Sequence, residues 1–139
     1  MESEHACYAD SSALVKLFLR ERESAALVRA IADRMVVTSA LAGVEIARAI
    51  RVAGAVDDVE TDVNELLEGC AIVEADSDVL RLAAALADPG LRTLDAVHLA
   101  SALRAGVRRF FVYDRQLSRA ARAAGLHVEA PGLTRVAGQ

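Results

Sequence analysis

The sequence predicts an α/β fold: a mainly parallel, five-stranded sheet with helices on both faces. Three observations lead there. Short apolar runs recur along the 139-residue chain, and almost throughout they alternate with segments of helical period. The runs are nearly continuous rather than alternating, as strands buried on both faces are. Two of them, Cys7-Tyr8-Ala9-Asp10 and Phe110-Phe111-Val112-Tyr113-Asp114, end on an aspartate just where the period changes.

The first strand is expected over residues 6–10, followed by a helix near 11–19 built on Leu14, Val15, Leu17 and Phe18. Met35-Val36-Val37-Thr38 forms the second strand (35–38), and Ser39 is a good N-cap for a helix over 40–53. Over 56–69, Val56, Val59, Val63, Leu66 and Leu67 keep helical spacing, with Asp57, Asp58, Glu60, Asp62, Glu65 and Glu68 on the outer face. A third strand over 71–75 leads to Asp76-Ser77-Asp78, which opens a helix over 77–87 that Asp88-Pro89-Gly90 closes. Helices over 93–105 and 115–124 end at Gly106 and Gly125, with strands over 110–113 and 126–129. The chain shows no internal repeat and no low-complexity linker, so residues 1–139 read as one domain.

Composition narrows the function. Hydrophobic residues make up 54% of the chain, which excludes disorder, and no apolar stretch approaches a membrane span. The start, Met1-Glu2-Ser3-Glu4-His5, lacks the positive region of a signal peptide, so cytoplasmic residence is expected. Cys7 and Cys70 sit at strand starts without CxxC spacing and read as buried, reduced thiols rather than zinc ligands. The net charge of −4 argues against a simple basic nucleic-acid binder. Its distribution says more: residues 1–89 hold 8 Lys+Arg against 17 Asp+Glu, whereas residues 90–139 hold 8 Arg against 3 Asp+Glu. The C-terminal third can offer a positive face to a polyanion, although Arg115, Arg119 and Arg122 also read as the solvated face of one helix.

Four acids lie among apolar neighbours, unlike the solvated run at 57–68. Asp10 and Asp114 terminate strands, Glu45 lies between Val44 and Ile46, and Asp95 opens the apolar segment Leu94-Asp95-Ala96-Val97-His98-Leu99-Ala100. Singly, each has an ordinary explanation: Asp10 and Asp114 as helix N-caps, Asp95 as a partner of the helix dipole, Glu45 as a partner of Arg48 one turn on. Together they point to shared cations, because a charge among apolar residues is costly unless paired or metal-bound. Hard oxygen ligands select Mg²⁺ or Mn²⁺. His98 shares a helix face with Asp95 and reads as a packed helix residue, and Lys16, the only lysine, as one that snorkels to solvent.

These segments resemble the PIN-domain nucleases, and more narrowly the VapC-type toxins of bacterial toxin–antitoxin systems. The resemblance lies in Asp10-x-Ser12 after the first strand, Val44-Glu45-Ile46-Ala47-Arg48, Thr93-Leu94-Asp95-Ala96-Val97-His98-Leu99-Ala100 and Tyr113-Asp114-Arg115-Gln116-Leu117. It covers a core of residues 6–130, with a short C-terminal tail. It implies a PIN-like three-layer α/β/α sandwich and an Mg²⁺- or Mn²⁺-dependent endoribonuclease that leaves a 5′-phosphate and a 3′-hydroxyl. It also implies homodimerisation and neutralisation by a VapB-type antitoxin. Asp10, Glu45, Asp95 and Asp114 match the family's acidic cluster, and Ser12 a hydroxyl that accompanies it. One departure is Val112, where the family often has Thr or Ser two residues before its last acid.

Phosphodiester hydrolysis suits these residue types: a metal lowers the pKa of bound water and steadies the leaving oxygen, while carboxylates hold the ion. Arg48 and Arg115 are the candidates to grip flanking RNA phosphates, with surface ion pairing the competing explanation. A haloacid-dehalogenase-like phosphatase would place a second aspartate where Ser12 stands, and a receiver domain needs a late lysine that the chain lacks. The remaining alternative is a PIN-like module that binds RNA or protein without cutting.

Overall fold

The computed structural model describes residues 5–54 and 57–133. Five strands, β1 (Ala6–Ala9), β2 (Met35–Ser39), β3 (Ala71–Val73), β4 (Arg109–Phe111) and β5 (His127–Glu129), form one sheet in the order β3-β2-β1-β4-β5. Every neighbouring pair is parallel, so the expected mainly parallel sheet is wholly parallel. Four of the strands are shorter than the apolar runs predict, while β2 runs one residue longer, to Ser39. β3 stops at Val73 because its partner β2 ends at Ser39, leaving residues 74 and 75 nothing to pair with.

Because side chains alternate across a strand, β1 feeds both faces. Tyr8, with Phe110 and Val112, packs against Leu99, Ala102, Leu117 and Ala121 of helices α6 (Thr93–Ala105) and α7 (Arg115–Ala123). Cys7, Ala9 and Phe111 point the other way. They meet Leu14 of α1 (Ser11–Leu14), Leu27 of α2 (Ser24–Ile31), Ile46 and Ile50 of α3 (Ala42–Ala53), and Val63 of α4 (Val59–Glu68). A third cluster joins α5 (Ser77–Ala85) to α6 through Val79, Ala83, Val97 and Ala100. The result is the expected three-layer α/β/α sandwich. α6 is covered all round, with residues 96–102 buried, as a helix wedged between a sheet and two helices must be.

Several helices depart from the sequence reading. The segment expected as a helix over 11–19 is one α turn that tightens into a 3-10 turn at Val15–Leu17. α2 escapes the reading altogether: three of its eight residues are alanine, and only Leu27 is buried. α3 begins at Ala42, not 40, because Ser39 stays in β2, although its Oγ accepts the Leu41 N–H at 3.1 Å. α4 begins at Val59, capped by Asp58; the expected start at Val56 lies outside the described residues. α5 is capped by Asp76, as predicted, but ends at Ala85, where Leu86 turns extended ahead of Pro89. Gly54 and Gly106 close α3 and α6 with φ of 65° and 73°, values that favour a residue without a Cβ. Cys7 is buried, as expected, whereas Cys70 is only partly covered; both are free thiols. Among the described residues, no helix is long and apolar enough to cross a membrane.

Candidate active site

The strand order reverses between β1 and β4, since β2 and β3 lie to one side of β1 and β4 and β5 to the other. In open parallel sheets the crevice beyond such a switch point binds ligands. Asp10 follows β1 and Asp114 follows β4, and the Asp10 N–H donates to the Phe111 carbonyl at 3.3 Å. Asp10 thus stands at the end of β1, as expected, whereas β4 stops at Phe111 and Asp114 lies three residues past it, on the same side of the sheet's switch point as the start of α7.

Each of the four acids stands at the start of a helix. Asp10 caps α1, its Oδ1 accepting the Ala13 N–H at 3.1 Å and the Ser12 hydroxyl at 2.7 Å. Asp114 caps α7 by accepting the Leu117 N–H at 2.8 Å. Glu45 and Asp95 lie in the first turns of α3 and α6. The ordinary capping roles are thus real, and four positive helix ends help hold the carboxylates at one edge.

The acids sense one another. Asp10 is only 3% exposed. Burial pushes its carboxyl up to about 6, His98, Ser12 and the Ala13 N–H oppose the rise, and the charge of Asp95 adds to it. Asp95 is pushed up by burial, by Asp114 and by Glu45, against the pull of His98 and Arg92. Burial also works to raise Glu45, but hydrogen bonds from His98 and Ser11 outweigh it and its carboxyl is lowered. Among the described residues, no group of three or more His, Cys, Asp or Glu side chains stands arranged to hold a metal ion. None of the four acids forms an ion pair with Lys or Arg among the described residues.

Ser12 bridges two elements, donating to Asp10 and accepting the Tyr113 N–H at 3.0 Å. It ties the end of β1 to the loop after β4. Val112 lies in the apolar core, so the hydroxyl the family often carries there has no counterpart. Arg48 and Arg115 are both exposed, and Arg48 does not pair with Glu45. The Glu45 partners are instead His98, whose Nε2 lies 2.6 Å from Oε1, and the Ser11 hydroxyl, which donates to the same oxygen. His98 is buried, as expected, but as a polar member of the site rather than as packing.

Ser11 and Arg92 are the residues that sequence reasoning missed, and His98 is one that it read only as packing. Ser11 reads as an ordinary first-turn residue, and Arg92 precedes its helix in an unremarkable loop. Only the i, i+3 spacing of Asp95 and His98 carried a signal. Lys16 departs from expectation too. It is 11% exposed, each of Glu21 and Glu23 lies 2.9 Å from its Nζ, and Nζ sits 4.5 Å from the Tyr113 ring centroid. It is pinned beside the site rather than snorkelling to solvent.

Residues 7–123 match the PIN-domain family model. The chain belongs to the PIN-domain family. Relatives narrow the branch. Ribonuclease VapC46 of Mycobacterium tuberculosis is 43% identical over 129 residues, covering 91% of this chain and 98% of its own length. Ribonuclease VapC35 of the same organism is 41% identical over 135 residues, covering 92% and 98%. This PIN domain therefore stands among the VapC ribonuclease toxins. Its fold matches the sarcin–ricin-loop-cleaving toxin VapC20 of M. tuberculosis with a TM-score of 0.70 at 15% identity, over 86% of this chain and 95% of that one. It also matches a chain of a toxin–antitoxin complex from Klebsiella pneumoniae with a TM-score of 0.60 at 18% identity, over 78% and 86%.

Proposed function

We propose that this PIN domain is an Mg²⁺- or Mn²⁺-dependent endoribonuclease toxin, with Asp10, Glu45, Asp95 and Asp114 as its metal-holding and catalytic acids. The observation that carries the proposal is the state of Asp10. It is a carboxylate buried beside the sheet's switch point, raised by burial and by a second raised carboxylate, Asp95, and among the described residues neither forms an ion pair with Lys or Arg. Such a group gains most from a cation. A donor set of hard carboxylate oxygens suits Mg²⁺ or Mn²⁺, ions that usually keep several waters beside their carboxylate ligands. When bound, the ion supplies Lewis acidity, which lowers the pKa of water and offsets charge on the phosphate.

The chain's own residues do the rest. Asp10 and Asp114 spend Oδ1 on capping, which fixes each carboxylate and leaves Oδ2 for a ligand. Ser12 holds the two strand ends in register through Asp10 and Tyr113. Arg48 and Arg115, exposed one turn beyond Glu45 and one residue beyond Asp114, are the candidates to grip RNA phosphates flanking the scissile bond; attack of water on the phosphorus with departure of the 3′ oxygen leaves a 5′-phosphate and a 3′-hydroxyl.

The partners are a VapB-type antitoxin and a second copy of the chain. The relatives' names support the first. For the second, Val44 (59% exposed) and Val52 (89% exposed) leave apolar surface on α3. A cytoplasmic location fits such partners. Mn²⁺-dependent cleavage of single-stranded RNA by the purified protein, abolished in Asp10→Asn, tests the enzyme. Retained cleavage in that variant overturns the metal-site reading, and RNA binding without cleavage by the wild type favours a non-catalytic module. Sedimentation at micromolar concentration tests the dimer.

A further inference from the structure

Glu45 is held differently from the other three acids. Asp10 and Asp114 are fixed by the main chain of the helices they cap, whereas Glu45 reaches the site on a longer, more flexible side chain. Its Oε1 accepts two hydrogen bonds from other elements, one from the Ser11 hydroxyl on α1 and one from His98 Nε2 on α6 at 2.6 Å. Ser11 Oγ and His98 Nε2 also lie 3.1 Å apart, closing a triangle around that oxygen. His98 is 1% exposed, and its other nitrogen, Nδ1, lies 2.7 Å from the Tyr8 hydroxyl.

Tyr8 is itself enclosed by the core. It is fully buried on the central strand, its ring stacked on Phe110 at 5.2 Å between centroids and set edge-on to the imidazole at 5.8 Å. The nearby buried hydroxyls of Thr38 and Ser101 donate to main-chain carbonyls, of Ala9 and Val97, both at 2.7 Å. They therefore have no proton left for the imidazole, and Tyr8 is the polar partner of Nδ1. The Nε2–H points at Glu45 whatever the charge of the ring. A line of hydrogen bonds thus runs from the middle of the sheet to one oxygen of one candidate ligand.

We propose that His98 and Tyr8 are positioning residues for Glu45, with Tyr8 orienting the imidazole and His98, with Ser11, tying down Oε1 so that Oε2 alone is offered to the divalent ion. The inference rests on the reading of Glu45 as a metal ligand. Carboxylate ligands are commonly oriented by such outer hydrogen bonds, and losing one costs about 10–100-fold in metal affinity or activity. Fixing the rotamer beforehand removes an ordering cost from the binding step.

The test compares two conservative changes at one buried site. Glutamine places an amide nitrogen near the position of Nε2, so His98→Gln keeps the donor to Glu45. Asparagine is one carbon shorter and places its amide near Nδ1, so His98→Asn keeps polarity but loses that donor. Binding is read as free Mn²⁺ by electron paramagnetic resonance, without RNA, alongside the metal-free melting temperature. His98→Asn should weaken Mn²⁺ binding about 10-fold or more, and His98→Gln by less than about 3-fold. Tyr8→Phe, which removes one hydroxyl and leaves the ring stack, should fall between them. It carries the same test if an His98 variant fails to fold. At saturating metal the KM for RNA should stay near wild type, since nothing that grips phosphate has moved. Wild-type Mn²⁺ affinity in His98→Asn or Tyr8→Phe, with weakened affinity in Glu45→Gln, overturns the positioning role and leaves the acid site standing. Wild-type affinity in Glu45→Gln overturns both.

Discussion

Two regions of this molecule are rich in acid, and only one of them is built as a site. α4 and the residue before its cap carry Asp57, Asp58, Glu60, Asp62, Glu65 and Glu68, all exposed except the half-covered Asp62. The carboxyl edge of the sheet carries fewer acids, yet Asp10 is buried and Glu45, Asp95 and Asp114 are half-covered. On α4 water solvates each charge, and Asp58 does no more than cap a helix, accepting the Thr61 N–H at 3.3 Å. At the sheet edge burial and neighbouring carboxylates act on the same groups, so two of them are raised. Counting acids would favour α4. What separates the regions is place: a parallel sheet starts its helices at one edge, and that edge is where carboxylates can be both covered and mutually close.

The sharpest way to break the comparison is to neutralise one acid on each side. Asp95→Asn or Asp114→Asn should lower Mn²⁺-dependent RNA cleavage by about 100-fold or more, on the scale of losing a directly engaged charged group. Asparagine caps a helix about as well as aspartate, so Asp114→Asn should keep its fold. Circular dichroism and a cleavage time course on the same preparation check both halves. Full activity in either variant would place that acid with the α4 set.

Much of this arrangement was legible in the sequence, for a physical reason. A buried parallel strand is a continuous apolar run, and an acid at its end is conspicuous, which is how Asp10 and Asp114 stood out. Glu45 and Asp95 were visible because they interrupt apolar helix faces. What stayed hidden depends on contacts between distant segments. Ser11 and His98 are separated by 87 residues, and neither violates a local pattern. Lys16 failed for the same reason. Its neighbours Leu14, Val15 and Leu17 predict a snorkelling side chain, but Glu21 and Glu23 fold back onto it from the loop that enters α2. α2 was missed because alanines carry little periodic signal, and the strand ends because a strand stops where its partner does.

Metal should stabilise one region and ignore the other. If the sheet-edge acids hold the ion only in the folded state, Mn²⁺ at about 100 times its dissociation constant adds about 2.7 kcal/mol to the unfolding free energy. Thermal melts with and without metal should show that gain in the wild type and in Glu65→Gln, and lose most of it in Asp10→Asn. A gain that survives Asp10→Asn and disappears with changes on α4 would reverse the assignment.

An effect of comparable size concerns pH in the metal-free protein. The Asp10 carboxyl is raised from 3.8 to about 6. Between those values the folded state binds more protons at this position than the unfolded state does, so stability falls as pH rises through the window. Above about 6 the cost is fully present, and below about 4 it has gone. At 1.36 kcal/mol per unit the shift corresponds to at most about 3 kcal/mol. Asp10→Asn removes the charge while keeping the cap, so at pH 7.5 it should unfold at higher denaturant than the wild type, with the advantage shrinking below pH 6 and absent near pH 4. Denaturant midpoints across that range read it directly. A constant difference at all pH values would mean that Asp10 is not held against its charge.

The smallest effect belongs to α4, and its smallness is the point. Glu60→Gln and Glu65→Gln remove charges that water already solvates, from the exposed side of a helix whose packing rests on Val59 and Val63. Surface changes of this kind usually shift stability by no more than about 0.5 kcal/mol in either direction. A glutamate in the first turn gains slightly from the helix dipole, so Glu60→Gln should lie on the destabilising side. Glu65, past the middle of the helix and among like charges, should be neutral or slightly stabilising when neutralised. Salt should erase the difference between the two, since exposed charges are screened over about 10 Å at 0.1 M. Cleavage and Mn²⁺ affinity should match the wild type in both. A tenfold loss of metal affinity in either variant would show that the solvated face of α4 reaches the ion, and the contrast between the two acidic regions would fail at that residue.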